Sequence, residues 1–302
     1  MHHSINMTIL GGLLILSACA SAPLQQINKY ENEIREWHTN RIERLKQPDS
    51  WLSLIGLFWL DEGKNTFGSG SENDIIFPIE AAPNNMGYFL RSGDSIWVET
   101  ADDVTIVHDG LKITGRVRLM SDIDGQPTVL EWGSLKWYII KRGEKYGVRL
   151  KDTNHHKIKT FPGIDRFTVS PKWRIEAKLE AYDPPKQIPI PDVLGMVNDS
   201  PSPGALVFQI DGQTYRLDPI ADPGDERYFI IFADETSGVE TYGAGRFLVV
   251  DAPGPEGKTI IDFNKAYNPP CAFSEFATCP LPPQQNILPV KITAGENNYG
   301  DH

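Results

Sequence analysis

Apolar residues keep helical spacing over one stretch of this chain, and what replaces that spacing afterwards limits the fold. Between Leu24 and Gln47 the positions Ile27, Tyr30, Ile34, Trp37, Ile42 and Leu45 recur at intervals of three to five among charges, with Glu31 four residues before Arg35. This spacing predicts an amphipathic helix that lays one stripe on the body of the protein. Pro48 ends it, because proline removes the N–H and clashes with the preceding turn. Beyond Pro48 the pattern becomes short β-rich runs separated by glycine-bearing turns: Ser95–Glu99, Val104–His108, Leu111–Leu119, Thr128–Leu130, Leu135–Arg142 and Tyr146–Leu150, with Asp109-Gly110 and Asp124-Gly125 at hairpin positions. Strands at this spacing without helices between them predict antiparallel sheets, as a sandwich or partial barrel.

Between Asp183 and Pro203 six prolines accumulate, which predicts an extended crossing segment rather than a strand in mid-sheet. A second run of strands surrounds it: Trp173–Tyr182, Ala205–Ile210, Gln213–Leu217, Tyr228–Ala233, Arg246–Val250, Thr259–Asn264 and a closing Asn286–Ala294, with Asp211-Gly212 marking the clearest hairpin. The expected organisation is therefore mainly β: a segment 1–18, an amphipathic helix within 19–48, and two antiparallel β modules at 49–165 and 166–302.

The apolar run Ile9–Ala18 is too short for a membrane-spanning helix of about 20 residues, so a cleaved signal is expected. Its end, Leu16-Ser17-Ala18-Cys19, resembles the lipobox of bacterial lipoproteins, although Met1–Asn6 has no Lys or Arg. The resemblance implies acylation of Cys19, attachment to the membrane through that lipid, and a cell-envelope location on the periplasmic side. Ala20, rather than Asp, then points to the outer membrane. In such an oxidising compartment Cys271 and Cys279 are expected to form a disulfide, worth ~2.5 kcal/mol by chain entropy for so short a loop. Two cysteines without a nearby histidine fall short of a zinc ligand set, and no metal or cofactor is expected. The same segment, Asp262–Asn286, carries five prolines, so it should be a rigid loop, neither helix nor central strand.

The run Gly68–Pro78 resembles, weakly, the early part of a forkhead-associated sandwich, but Ser69 stands where that family has its arginine. More extensively, Gly56-Leu57-Phe58-Trp59-Leu60, Gly133-Ser134-Leu135-Lys136-Trp137, Trp173-Arg174, Glu240-Thr241-Tyr242-Gly243-x-Gly245-Arg246-Phe247-Leu248 and Asp262–Cys271 resemble a bacterial group catalogued as domain of unknown function 1684. That resemblance implies no activity, so the residues must be weighed by their own chemistry.

A net charge of −11 argues against nucleic acid as a partner. No G-x-S-x-G elbow is found, and the adjacent His155 and His156 would point to opposite faces of a strand. Alternation over Thr259–Asn264 puts Ile261 and Phe263 on one face and Asp262 and Asn264 on the other. Arg246 is expected to approach Asp262 from the preceding strand. With Glu240, Tyr242, Tyr267 and Asn268 nearby, this makes a candidate ligand site. The leading expectation is a binding or structural role, with a small molecule or glycan as ligand. The alternative is a periplasmic hydrolase of glycan or other envelope substrates using Asp262, Glu240 and Arg246 as acid/base and electrostatic groups.

Overall fold

The computed structural model describes residues 21–79 and 81–300, so the stretch expected to be a cleaved signal with a lipobox, Cys19 included, lies outside the described residues. Helix α1 runs from Ser21 to Leu45, and the rest is mainly β, as the loss of helical periodicity predicts. Among the described residues no helix is long and apolar enough to cross a membrane.

The first half of the body forms two sheets. One has six strands, ordered Leu54–Trp59, Lys145–Asp152, Leu135–Arg142, Leu130–Trp132, Val107–His108 and Leu111–Lys112. The other has five: Ile75–Ile76, Gly63–Gly68, Gly87–Ser92, Ser95–Thr100 and Arg116–Leu119. Between them Phe67, Phe77, Phe89 and Trp137 are fully buried, with the Phe67 and Phe89 rings stacked at 4.5 Å and Trp137 edge-on to Phe77 at 5.4 Å. Such rings dominate a core because each removes a large apolar area from water.

The second half has its own core of Trp173, Phe208, Phe232 and Phe263, beneath a four-stranded sheet of Gln213–Leu217, Val197–Ile210, Arg174–Pro191 and Lys258–Asp262 and a three-stranded sheet of Arg246–Asp251, Arg227–Asp234 and Ile287–Leu288. The closing segment pairs only at Ile287–Leu288, parallel to Ala233 and Asp234.

The proline-rich segment departs from expectation. It is a paired ribbon, Lys186–Pro191 against Val197–Ser202, not an unpaired crossing. The prolines fit because of register: Pro189, Pro191 and Pro201 all fall in one alternate set of pairs, opposite Asp199, Val197 and Gln187. In antiparallel sheets alternate pairs direct their N–H and C=O groups away from the partner strand, so a missing N–H there leaves the ladder intact. The outward carbonyls of Pro191 and Pro201 accept instead from Leu281 N–H at 2.7 Å and Ala221 N–H at 3.0 Å. Ile188 and Ile190, in the other set, are buried against Leu54, Phe247 and Cys279.

The loop Pro269–Pro283 is wedged between the two halves. Ser274 Oγ donates to Leu54 O at 3.1 Å, Val193 N–H to Cys279 O at 3.1 Å, and Arg142 and Arg149 both donate to Thr278 Oγ1. The expected disulfide is not found: Cys271 and Cys279 are free thiols, with Cys271 N–H donating to Cys279 Sγ at 3.0 Å. Hydrogen bonds to both halves already fix the loop without a covalent clamp. A hydrogen bond between the two thiols holds Cys271 below its ordinary pKa and, with burial, Cys279 above it.

Phe263 is fully buried against Trp173, Phe208 and Phe232. Phe263→Ala should therefore cost about 3–5 kcal/mol, read as a lower midpoint in equilibrium urea unfolding with unchanged slope.

Candidate functional site

Helix α1 covers the strand-to-loop junction at Asp262, and most of the polar side chains at this contact are buried. Two clusters join helix to body. In the first, Tyr30 OH donates to Asp262 Oδ1 at 2.8 Å and accepts from Asn264 Nδ2 at 2.9 Å. Asp262 also caps the short turn Phe263–Lys265, taking the Asn264 N–H at 3.1 Å. The Asn264 amide grips the Ser170 backbone on both sides, accepting from N–H at 3.0 Å and donating to C=O at 2.9 Å. The alternation expected over this stretch therefore holds for Ile261 and Phe263, which face the core. Asp262 and Asn264 are buried as well, because the helix covers their face.

The second cluster centres on Glu296, which is 1 % exposed. Its carboxylate takes both Nε and Nη2 of Arg41, and the Asn268 N–H at 2.7 Å. Arg41 Nη2 also donates to Asn268 O at 2.9 Å, and its guanidinium lies 4.5 Å from the Tyr267 ring centre. His38, one turn earlier on the helix, brings Nε2 to 4.0 Å from Glu296. Glu296 follows Gly295, whose φ is +79° and where a Cβ would come within 2.5 Å of Ala266 O. Only glycine lets the chain pass this close to the junction and still present the carboxylate.

Tyr267 connects the clusters to the sheet by exchanging both backbone hydrogen bonds with Phe247, at 2.8 and 2.9 Å, while its ring meets Phe247 edge-on and Trp37 obliquely. Beside it lies a pocket of about 240 Å³ walled by Trp51, Phe229, Phe247, Tyr267 and Phe273, with Arg41 and Asn268 as its polar members. Asn268 donates its amide to Asn297 O at 2.8 Å, but its buried Oδ1 has no hydrogen-bond partner.

Arg246 does not meet Asp262. It sits opposite Phe232 in the three-stranded sheet, whereas Asp262 sits opposite Arg174 in the four-stranded one. Its partner is Asp234, at 2.6 Å with both side chains fully buried, and it also binds the carbonyls of Ala294 and Ile292. Asp234 is saturated by Thr236 and the Ile292 N–H besides. Arg246 is thus a pin for the C-terminal segment that carries Gly295 and Glu296. Glu240 lies apart, its carboxylate 3.8 Å from Lys291, and Tyr242 packs on the cluster of Leu45, Phe161 and Phe273. The three groups assigned to hydrolysis therefore occupy three separate surroundings.

Of the ligand candidates read from sequence, Tyr267 and Asn268 line a pocket, while Asn264 is tied up in holding the helix. Arg41 and Glu296 went unrecognised. Arg41 carried a signal: it stands four residues after Trp37 and four before Leu45, a charge on the buried stripe.

Burial, reinforced by the Asp262 charge, pushes the Tyr30 phenol well above its ordinary value of 10.0. The neutral form is the one the fold favours, so this contribution is complete below pH ~10 and fades as pH rises toward the folded value. Alkaline unfolding should accordingly be steeper in the native chain than in Tyr30→Phe, compared by circular dichroism between pH 9 and 12. A second expectation concerns the charges. Arg41→Met leaves Glu296 buried and unpaired and should cost ~3–5 kcal/mol, whereas adding Glu296→Leu should recover most of that loss in a denaturation cycle.

The family model described as a protein of unknown function, DUF1684, matches residues 159–297, the part that holds the second core, Arg166, Asp262–Asn268 and Glu296. The segments Gly56–Leu60 and Gly133–Trp137 lie outside that match. No curated protein matches. Among solved structures, the solution NMR structure of an uncharacterised protein from Haloarcula marismortui is 28% identical, covering 49% of this chain and 82% of that one, with a TM-score of 0.41.

Proposed function

We propose that this chain is a lipid-anchored protein of the cell envelope, attached through Cys19 to the outer membrane on its periplasmic side, with a binding role. The anchor rests on Leu16-Ser17-Ala18-Cys19 and the short apolar run before it. Helix α1 starts at Ser21, two residues after that cysteine, so the anchor and the wall of the site belong to one continuous segment.

The observation that carries the binding role is the pocket beside Tyr267. Five aromatic side chains wall it, Arg41 stands at its edge, and the buried Asn268 Oδ1 is left without a donor. Apolar walls with a few fixed polar groups are the usual make-up of a small-ligand site. The volume, about 240 Å³, suits one ring with polar substituents, such as a single sugar residue at the end of a glycan. Its apolar face would stack on the aromatic walls while a hydroxyl donates to Asn268.

A thermal-shift screen of the purified protein against envelope glycans, peptides and lipids tests the reading, because a ligand of the native state raises the midpoint. A glycan fragment should raise it in the native chain and not in Trp51→Ala or Phe273→Ala; a screen without any hit that depends on these residues would overturn the pocket assignment. Anchoring is tested separately. Cys19→Ala should move the protein from the membrane to the soluble fraction, and a variant still acylated and membrane-bound would refute it.

A further inference from the structure

On the other flank of the helix contact lies a second cleft, of about 340 Å³, between α1 and the segment 166–169. Its lining differs from that of the aromatic pocket: Arg35, His38 and Thr39 come from the helix, Arg166 and Thr168 from the body, and Glu31 is the single acidic member. On a chain of net charge −11 this is a local excess of positive charge.

Two of these groups are incomplete. Arg166 is held rigidly, with Nη2 donating to Asn264 O at 3.0 Å and Nε directed at Phe167 O at 3.4 Å, while its buried Nη1 has no partner. His38 Nε2 is also buried and without a hydrogen bond. Glu296, 4.0 Å away, is too far to accept from it and is already occupied by Arg41 and the Asn268 N–H. A buried polar atom without a partner costs about 1–3 kcal/mol, and here two such nitrogens belong to residues lining one open cleft. The hydroxyls of Thr39 and Thr168 and the exposed guanidinium of Arg35 add further donors around the same space.

We propose that this cleft binds an oxyanion of the phosphate class, with Arg166 Nη1 and His38 Nε2 donating to its oxygens and Arg35 neutralising charge at the mouth. A tetrahedral anion supplies acceptors in several directions at once, which suits donors converging from a helix and a loop better than a single planar acceptor does. The site is independent of the aromatic pocket and of the lipid anchor, and it stands or falls without them. Burial lowers the His38 pKa, Arg166 and Arg41 lower it further, and Glu296 opposes them. An anion beside the imidazole favours its charged form, so binding takes up a proton and strengthens as pH falls. Arg35, Arg41 and Glu31 on the helix, and Arg166 and Glu296 on the body, are the charged groups that set this response.

The test is isothermal titration of the purified full-length protein with inorganic phosphate in chloride of matched ionic strength, repeated with sulfate, whose charge is constant between pH 5 and 8. Phosphate should bind in preference to chloride, and sulfate more tightly at pH 5 than at pH 8. Arg35→Gln, at an exposed residue lining the cleft, and His38→Leu should each weaken phosphate, the latter by at least about tenfold, the order expected for losing a bond to a charged group. Thermal midpoints of both variants establish that they fold. Glycerol 3-phosphate and a soluble short-chain phosphatidic acid distinguish the source: equal affinities identify a free phosphate ligand, and a clear preference for the lipid identifies a headgroup. No heat with any of these probes at about 10 mM, or affinities unchanged in both variants, would overturn the proposal.

Discussion

Glu296 is a carboxylate taken almost wholly out of water, and a charge in that position is tolerable only with an opposite charge and hydrogen bonds around it. Arg41 supplies the charge from the helix and the Asn268 N–H supplies the bond from the loop. Meeting this one requirement sets the position of α1, the conformation of the Tyr267–Asn268 junction and the path of the C-terminal segment together. Apolar stripes are permissive about sliding, whereas a bidentate guanidinium–carboxylate pair admits a single register. Tyr30, three turns earlier, repeats the logic at Asp262 and Asn264.

The Arg246–Asp234 pair serves this arrangement from below. Arg246 gathers the carbonyls of Ile292 and Ala294, and Asp234 takes the Ile292 N–H, so the strand that ends in Asp234 fixes where Gly295 turns and where Glu296 emerges. Gly245, just before Arg246, has φ of +86°, and a Cβ there would meet Phe232 O at 2.6 Å. Two glycines thus permit two close backbone approaches that aim two buried charges. Both clefts lie where α1 meets this framework: the aromatic pocket opens beside Tyr267 and Asn268, the basic one beside His38 and Arg166.

How far the sequence discloses this depends on the range of each interaction. The helix and the strands Leu135–Arg142 and Gln213–Leu217 follow from local periodicity, which residues near in sequence determine among themselves. The proline ribbon departs from the sequence expectation because proline content signals a broken ladder, while its tolerance depends on pairing parity, which composition does not carry. Arg246 was assigned to the wrong carboxylate for a related reason: Asp262 and Asp234 are both acidic strand ends, and which sheet each strand joins is a long-range property. Glu296 lies in a polar tail without periodicity, so only the folded chain reveals it as the counter-charge of a residue 255 positions earlier. The sequence brings Asp262, Asn264, Tyr267 and Asn268 together because they are neighbours along the chain, whereas the contact they make with α1 joins residues more than 200 positions apart.

Helix α1 is an integral wall of the fold, locked by Glu296, rather than a tether lying loosely on it. Amide hydrogen exchange across Tyr30–Leu45 tests this most directly, since protection reports the free energy of the opening that exposes each amide. This stretch should exchange as slowly as the strand Arg246–Asp251 in the native protein, and Glu296→Gln should accelerate the helix selectively while the first sheet pair keeps its protection. A helix that exchanges fast in the native protein while both β cores remain protected would contradict it.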